Sequence, residues 1–241
     1  MTRLTTCPDD ETVARRAAVH IARVIEEARS ARGVAHLALS GGTTPGRTYE
    51  LLGEEPAALE SVGLWFADER CVAPDDEESN YRLAQHALIE PASIDPARVH
   101  RMRGELGPEE GAAAYAAELC GPGGPQRAEG VPVLDLIVLG IGPDGHVASL
   151  FPGAPTLSAG EEAICLGISD SPKPPPERIT LSLAVLRAAR GCLLLATGAS
   201  KADAVDAMLA KASPHVPASL LERGRLTVIV DDAAAPRGPV A

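Results

Sequence analysis

The 241-residue sequence lacks the features of several large protein classes. It has no run of 18 apolar residues, so no segment is predicted to cross a membrane. Its N-terminus, MTRLTTCPDDETVARR, lacks the apolar core of a signal peptide. It has no basic cluster, and its net charge of −11 argues against nucleic acid and against anionic membrane surfaces as partners. We therefore expect a cytoplasmic protein that binds neither nucleic acid nor membrane.

Motifs for disulfides, metals and serine nucleophiles are also missing. The five cysteines form no CxxC pair, and their odd number argues against a disulfide framework and favours reduced thiols. There is no HxH or HExxH motif, so no metal site is predicted. There is no GxSxG motif, so a serine hydrolase is not predicted either.

The sequence instead alternates helical and strand-like segments. Apolar residues at spacings of three and four predict a helix over 9–31. Further helices are predicted from an N-cap at Thr44 with Pro45 as first helical residue to about 52, from Ser79 or Asn80 to about 89, over 108–120 and over 200–210. Strands are predicted over 34–40, 63–69, 133–140, 178–183, 191–197 and 226–230.

Strands separated by helices predict an α/β fold. We expect a single domain over residues 1–241, with an open, mostly parallel, twisted sheet flanked by helices, of the Rossmann-like type. Residues 121–130 and 171–176 are predicted to be loops, and 232–241 a loose tail.

Four predicted strands are followed directly by polar or glycine-rich residues. Ligands of open parallel sheets bind beyond the carboxyl ends of the strands, at a point where the strand order reverses. We therefore predict one binding site where these segments meet. The segments are SGGTTP (40–45), DER (68–70), GIGPDGH (140–146) and TGASK (197–201).

The segment SGGTTP predicts an anion site. Gly41 and Gly42 let backbone amides approach an anion, and the hydroxyls of Ser40, Thr43 and Thr44 add donors. The helix that follows directs its positive N-terminus to the same place. Neither Walker A nor GxGxxG spacing is present, which disfavours a nucleotide. A tight strand-to-helix turn without a ligand is the alternative.

Charged residues near the same strand ends are further candidates. Lys201 lies in the first turn of a predicted helix, where a cation opposes the helix dipole, and this favours a ligand role. Arg178 begins a strand, and an exposed edge charge is the simpler interpretation. Asp68 and Arg70 are predicted to share one face of their strand while Glu69 points to the other. A solvated cluster at the strand end is the alternative for these residues.

The segment GIGPDGH is the most informative. Its three glycines and its proline predict a specific turn after a central strand, which places His146 and Asp144 at the predicted site. Histidine titrates near neutral pH and suits the work of a general base. A nucleophilic pair of Cys71 and His146 is the rival arrangement, since Arg70 would lower the pKa of the thiol. A buried structural cysteine is the commoner case.

Together these segments resemble the 6-phosphogluconolactonase family, within the larger group that includes the glucosamine-6-phosphate isomerases. The matching segments follow the family's order and cover nearly the whole chain. They are SGGTTP (40–45), WFADERCV (65–72), ESNYR (78–82), GIGPDGHVASLFPG (140–153), PPPERITLS (174–182) and GASKADAV (198–205).

The resemblance implies hydrolysis of 6-phospho-D-glucono-1,5-lactone to 6-phosphogluconate, the second step of the oxidative pentose phosphate pathway, without a metal or other cofactor. His146 would activate water, Arg70 would stabilise the charge developing at the lactone, and Asp68 and Asp144 would orient these groups. Amides of the 142–146 turn, Gly142 included, are further candidates for binding that charge. The phosphate would be held by Ser40, Gly41, Gly42, Thr43, Thr44, Arg178 and Lys201.

Two alternatives come from the same group. In the isomerase/deaminase branch an acidic residue follows the DGH motif, whereas the residues 148–151 here are Ala, Ser, Leu and Phe, which favours the lactonase branch. Val147 stands where threonine is usual. The other alternative is a sugar-phosphate sensor, which would carry a DNA-binding helical segment before the sheet; the first strand is expected near residue 34 here. We expect a monomer or small homo-oligomer, with 153–160 and 170–177 as candidate closing loops.

Overall fold

The computed structural model describes residues 2–237 and contains a main sheet of six parallel strands with helices packed against it. The strands are β1 (Arg3–Cys7), β2 (Ala35–Leu39), β3 (Val62–Phe66), β4 (Asp68–Arg70), β5 (Arg127–Ala128), β6 (Val131–Pro132), β7 (Leu136–Gly140), β8 (Cys165–Ile168), β9 (Arg178–Leu181), β10 (Cys192–Ala196) and β11 (Leu226–Asp231). The helices are α1 (Asp10–Arg32), α2 (Thr43–Gly53), α3 (Asn80–Ala84, continued by a π turn over Gln85–Ile89), α4 (Pro108–Leu119), α5 (Leu183–Ala188) and α6 (Ala202–Leu209).

The strand order of the main sheet is β1-β11-β10-β7-β2-β3, and all neighbours are parallel. The chain passes from β2 outward to β3 and returns to β7 on the other side of β2. The strand order therefore reverses between β2 and β7, which is where open parallel sheets bind ligands. Strands β2, β3 and β10 are buried along their whole length, as expected when helices cover both faces. The predicted α/β fold with a mostly parallel sheet is confirmed.

The first strand was missed by the sequence analysis. The sheet begins with β1 at its edge, paired to β11, rather than with the segment near residue 34. The sequence of β1, RLTTC, is mostly polar, and only Cys7 is fully buried. An edge strand with so little apolar surface carries no hydrophobic pattern that distinguishes it from a loop.

The predicted strand over 63–69 is in fact two strands in two sheets. β3 belongs to the main sheet, whereas β4 pairs with β9 in a three-stranded antiparallel sheet of order β4-β9-β8. Ala67 joins the two sheets, because its N–H donates to the carbonyl oxygen of Leu39 and its carbonyl accepts from Leu181. A continuous apolar run does not reveal such a change of partner.

Other limits also differ from the prediction. The strand predicted over 178–183 ends at Leu181, because the Ser182 side chain accepts a hydrogen bond from the N–H of Val185 and starts α5. Neither α5 nor β8 was predicted, and the predicted loop 121–130 contains β5, which forms a hairpin with β6.

Within residues 2–237, three of the six α-helices, α1, α3 and α5, begin with a side-chain cap, and α2, α4 and α6 do not. α1 is capped by Asp9, whose carboxylate accepts from the N–H of Thr12 at 2.7 Å, and α3 by Ser79. α2 begins at Thr43 after Gly42, whose φ of 110° suits glycine, and it has no side-chain cap. The prediction of an N-cap at Thr44 is therefore wrong.

Part of the predicted loose tail is packed. Asp231 accepts a hydrogen bond from the N–H of Ala234, which is buried, and the N–H of Arg237 donates to Asp206. Residues 238–241 lie outside the described residues. Within residues 2–237, no helix is long and apolar enough to cross a membrane.

Candidate active site

A cleft lies beyond the carboxyl ends of β2, β7 and β10, at the point where the strand order reverses. All four polar segments singled out in the sequence border it. Every candidate residue except Asp144 lines the cleft; these are Ser40, Gly41, Gly42, Thr43, Thr44, Asp68, Arg70, Gly142, His146, Arg178 and Lys201. Asp144 lies beside His146 and contacts it directly.

The anion-binding segment is built where β2 meets α2. The hydroxyl of the buried Tyr49 accepts from the backbone N–H of Ser40 at 3.0 Å and donates to its carbonyl oxygen at 2.9 Å, which ties the strand end to the helix. The hydroxyls of Thr44 and Thr197 lie 2.7 Å apart and join this turn to the end of β10. The first N–H groups of α2, an eleven-residue helix, therefore have a fixed position at the cleft.

Asn80 fixes the neighbouring strand against this turn. A Cβ atom at Gly41 would collide with the Asn80 side-chain amide, so glycine is required for the close approach. The Asn80 Nδ2 donates to the carbonyl oxygen of Asp68 at 2.9 Å. From the sequence, Asn80 was predicted as a possible helix cap and belonged to the ESNYR segment of the family resemblance, but it was not predicted as a cleft residue. Its position in the cleft depends on tertiary contacts that sequence spacing does not show.

The predicted alternation of side chains along β4 is confirmed. Asp68 and Arg70 line the cleft, whereas Glu69 points away and accepts hydrogen bonds from the N–H groups of Asn80 and Tyr81. Burial raises the pKa of Glu69. Glu69 therefore anchors the start of α3 and does not belong to the cleft.

Two buried polar atoms of the cleft residues have no hydrogen-bond partner among residues 2–237. They are the Ser40 Oγ and the Arg70 Nε. The other side of the Arg70 guanidinium donates through NH1 to the carbonyl oxygen of Glu78 at 2.6 Å. Buried donors without partners are costly in a folded protein. A ligand in the cleft would supply acceptors for both.

The 142–146 turn presents His146 to the cleft. The Gly142 N–H donates to the His146 carbonyl oxygen at 2.9 Å, and the Gly145 N–H donates to the Gly142 carbonyl oxygen at 2.9 Å. Gly145 has a φ of 82°, in the left-handed region that glycine tolerates. Phe151 packs against the imidazole, with ring centroids 4.8 Å apart.

His146 is held by Asp144 through one ring nitrogen. The His146 Nδ1 lies 2.6 Å from the Asp144 Oδ1, which assigns the proton to Nδ1 and leaves Nε2 with a free lone pair. Burial lowers the pKa of His146 below its usual 6.5, although Asp144 opposes this shift. Burial acts to raise the pKa of Asp144, but the His146 hydrogen bond together with the charges of His146 and Lys173 and a backbone hydrogen bond holds that pKa below its usual value. The lowered pKa favours the neutral imidazole, which is able to accept a proton.

A chain of polar contacts links the two charged residues at the floor of the cleft. The Ser149 Oγ donates to Asp68 at 2.8 Å and lies 3.4 Å from NH1 of Arg178. All three residues are buried. Asp68 also accepts from Asn80 at 3.3 Å, so its carboxylate has a fixed orientation.

Arg178 is buried, which corrects the simpler interpretation of an exposed edge charge. Its Nε donates to the carbonyl oxygen of Pro175, its NH2 to those of Lys173 and Pro174, and its NH1 to Ser149. A guanidinium has five N–H donors, so one remains for a ligand. Burial and the nearby charge of Arg70 lower the pKa of Arg178.

Lys173 is a cleft residue that the sequence analysis missed. It lies in the predicted loop 171–176, and its Nζ is 3.3 Å from both the Asp144 Oδ1 and the His146 Nδ1. The amino-acid composition could have indicated Lys173 as a candidate. The chain has only three lysines among 22 basic residues, and two of them, Lys173 and Lys201, line the cleft.

Lys201 ends a short 3₁₀ turn, Ala199–Lys201, directly before α6. Burial and the charge of Lys173 lower its pKa. Of the two candidate closing loops, 170–177 reaches the cleft through Lys173, whereas no residue of 153–160 lines it.

The rival pair of Cys71 and His146 is not supported. Cys71 does not line the cleft, and burial raises the pKa of its thiol to about 11, so it is not a thiolate at neutral pH. No group of three or more histidine, cysteine, aspartate or glutamate side chains in residues 2–237 is arranged to hold a metal ion.

Comparison with known proteins gives a consistent result. The model of the family "Glucosamine-6-phosphate isomerases/6-phosphogluconolactonase" matches residues 8–230. The 6-phosphogluconolactonase of Streptomyces coelicolor is 40% identical, with 96% of this chain and 92% of the relative covered, and that of Homo sapiens is 39% identical, with 93% and 86% covered. The solved structure of the 6-phosphogluconolactonase from Trypanosoma cruzi superposes with a TM-score of 0.84 at 28% identity, covering 97% of this chain and 96% of that one.

Proposed function

The chain belongs to the glucosamine-6-phosphate isomerase/6-phosphogluconolactonase family, and we propose that its cleft hydrolyses 6-phospho-D-glucono-1,5-lactone to 6-phosphogluconate. This reaction is the second step of the oxidative pentose phosphate pathway. One observation carries the proposal: His146, held by Asp144 through Nδ1, faces a cleft lined by four basic side chains. A base beside a set of cations suits attack of water on an anionic substrate.

The phosphate of the substrate binds at the start of α2. The free N–H groups of the first helical turn and the hydroxyls of Ser40, Thr43 and Thr44 donate to it. Lys201 and the remaining donor of Arg178 add positive charge on the other side. Binding of this remote group fixes the lactone ring in the cleft, so its free energy lowers the barrier at the reacting carbon.

Hydrolysis then proceeds by general base catalysis. The His146 Nε2 takes a proton from water while the water oxygen bonds to the lactone carbonyl carbon, and the carbonyl electron pair moves to its oxygen. Arg70 faces the oxyanion. The Gly142 N–H is not available to it, because that group already donates to the His146 carbonyl oxygen. When the oxyanion collapses, the bond to the ring oxygen breaks, and protonated His146 returns its proton to that oxygen. No covalent intermediate forms. Asp144 keeps His146 in position, whereas the Arg70 guanidinium is held by the Glu78 carbonyl oxygen, and Asp68 binds Ser149 and Asn80.

The test is hydrolysis of freshly prepared 6-phosphogluconolactone, corrected for its spontaneous opening, by the wild type and by His146→Ala. We expect the variant to lose about 10²–10⁴-fold in kcat. Unchanged kcat in the variant would show that His146 is not the base, and a wild type no faster than buffer would reject the lactonase activity itself.

A parallel assay with glucosamine 6-phosphate addresses the isomerase/deaminase branch. Residues 147–153 follow the turn with no carboxylate, so we expect no release of ammonia. Detectable ammonia from the wild type would assign the chain to that branch instead.

The partner of the protein is thus a phosphorylated sugar lactone, and we propose a cytoplasmic location and a monomer or small homo-oligomer. The free cysteines support a reducing compartment. The net charge of −11 argues against nucleic acid as a further partner. Light scattering of the purified protein measures the oligomeric state.

A further inference from the structure

Three charged or titratable groups meet at one point on the wall of the cleft. The Lys173 Nζ lies 3.3 Å from the Asp144 Oδ1 and 3.3 Å from the His146 Nδ1, and these two atoms lie 2.6 Å from each other. The three atoms form a closed triangle, in which Asp144 is the shared acceptor. The histidine therefore has a carboxylate and an ammonium group at the same ring nitrogen.

The position of Lys173 is fixed by its own backbone. The Lys173 carbonyl oxygen accepts from Arg178 NH2 at 3.3 Å and from the Ser171 hydroxyl at 2.9 Å, and its N–H donates to that same hydroxyl. The carbonyl oxygens of Pro174 and Pro175 are also bound by the Arg178 guanidinium. The segment is thus clamped to the floor of the cleft, and the ammonium group lies at a defined place beside His146.

The contact of Lys173 with Asp144 and His146 balances two opposing effects of Asp144 on His146 as a general base. Asp144 must be ionised to hold the Nδ1 proton, yet an ionised carboxylate at 2.6 Å favours the imidazolium form, which cannot accept a proton. A positive charge on the same carboxylate offsets this effect at His146. Building on the function proposed above, we propose that Lys173 is a positioning residue for lactone hydrolysis: it shares Asp144 with His146 and keeps the imidazole neutral with Nε2 as proton acceptor.

Other charged groups face His146 from the surrounding elements. Asp68 on β4 favours the protonated imidazole, whereas Lys173 and burial oppose it. Arg70 and Lys201 line the same cleft and add positive charge. Of Arg70, Lys173 and Lys201, Lys173 is the residue that contacts the His146 Nδ1. Its removal should therefore change the titration of His146 more than removal of the other two.

The kinetic test compares Lys173→Met with wild type across pH. Loss of the ammonium group favours protonated His146, and the base is neutral only above its pKa. The ratio of wild-type to variant kcat/KM should therefore be about three- to tenfold larger at pH 6 than at pH 7.5. Using this ratio cancels the titration of the substrate phosphate, which also falls in this window.

Matched variants separate this effect from a structural one. Lys173→Arg keeps the charge and should give the same ratio at both pH values. Asp144→Asn should behave in the opposite sense, with a smaller ratio at pH 6 than at pH 7.5, because it removes the charge that favours imidazolium. Lys211→Met, at the third and exposed lysine, should match the wild type throughout. A Lys173→Met variant with raised KM and an unchanged pH profile would overturn the proposal in favour of simple anion binding.

An NMR titration of the ligand-free protein tests the same coupling without any assay of activity. The His146 ring signals are assigned by their loss in His146→Ala, and their titration midpoint should move to higher pH in Lys173→Met but not in Lys211→Met. If the wild type had no lactonase activity but the midpoint still moved in Lys173→Met, the proposed function would be rejected, whereas the coupling of Lys173 to His146 would be supported. An active wild type whose midpoint does not move would reject the role of Lys173.

Discussion

Gly142 lies against the catalytic turn so closely that no side chain fits. A Cβ atom there would collide with the His146 ring and with the Asp144 carboxylate. We therefore expect Gly142→Ala to fold but to displace the imidazole, and displacements of about 1 Å cost about 100-fold in rate. Steady-state kinetics with 6-phosphogluconolactone would measure this as a fall in kcat.

Gly224→Ala is the control for this substitution. Its backbone lies outside the left-handed region, and the nearest atom to an added Cβ is the Glu222 Oε1 at 3.4 Å. This variant should keep wild-type kcat and thermal stability. If Gly142→Ala also kept wild-type kcat, the placement of His146 by the 142–146 turn would not matter for the reaction.

At the scale of single residues, the sequence predicted what local chemistry determines. His146, Asp144 and the glycines of the 140–146 turn follow a strand directly, so their position depends on a few adjacent residues. Lys173 was missed because nothing local directs it to the cleft. Its segment is held by the guanidinium of Arg178, and it is the pairing of β9 with β4 that brings Arg178 and this segment to the cleft.

In two helices, a buried tyrosine hydroxyl bonds both backbone groups of a residue in or next to a strand, so the two tyrosines can be compared by the same substitution. Tyr49 in α2 binds both backbone groups of Ser40, and Tyr115 in α4 binds both backbone groups of Phe66, at 2.7 and 3.1 Å. Replacement of either tyrosine by phenylalanine leaves a buried N–H and a buried carbonyl without their partner. We expect each variant to lose about 1–3 kcal/mol of unfolding free energy.

Only one of the two tyrosines touches the anion-binding segment. Tyr49→Phe should therefore also raise KM for the phosphorylated lactone, whereas Tyr115→Phe should not. Urea unfolding and steady-state kinetics on both variants provide the measurement. Equal effects on KM would mean that the link between Ser40 and α2 has no part in binding the substrate.

At the scale of elements, buried helices and strands were predicted well, and partner changes were not. The apolar runs of β2, β7, β10 and β11 predicted their strands to within a few residues. The run over 63–69 also predicted one strand, yet it divides at Ala67. Its first half pairs within the main sheet, and its second half pairs with β9 in the antiparallel sheet. Hydrophobic periodicity predicts which residues are buried, but it does not predict which strand pairs with which.

The stability of the whole molecule should depend on histidines buried in their neutral form. Burial lowers the pKa of His36 and of His146 below the usual 6.5. The unfolded chain therefore binds protons at these sites before the folded chain does. The contribution to stability is fully present above pH 6.5 and is lost as pH falls toward the folded-state pKa values. We expect the unfolding free energy to fall by up to about 1.4 kcal/mol per pH unit for each histidine.

Trp65, the single tryptophan, is the natural reporter for this measurement, since it is fully buried and its Nε1 donates to the His36 Nδ1 at 3.1 Å. Urea unfolding followed by its fluorescence at several values between pH 7.5 and 5.5 gives the slope. His36→Gln should flatten it, and His86→Gln, at an exposed site, should not. A wild-type unfolding free energy that stays constant over this range would contradict the prediction.

The pairing of β1 with β11 also has a consequence during synthesis. β1 is synthesised well before β11, its one neighbour in the sheet as described, because the segments of the other four strands of that sheet lie between them in the chain. Until β11 has been synthesised, β1 is a strand without a partner, and such strands recruit other chains when they are apolar. Its sequence, RLTTC, exposes Arg3 and offers little apolar surface. The polarity that hides β1 from a hydrophobic pattern therefore also makes it a poor template for another chain while β11 is still missing.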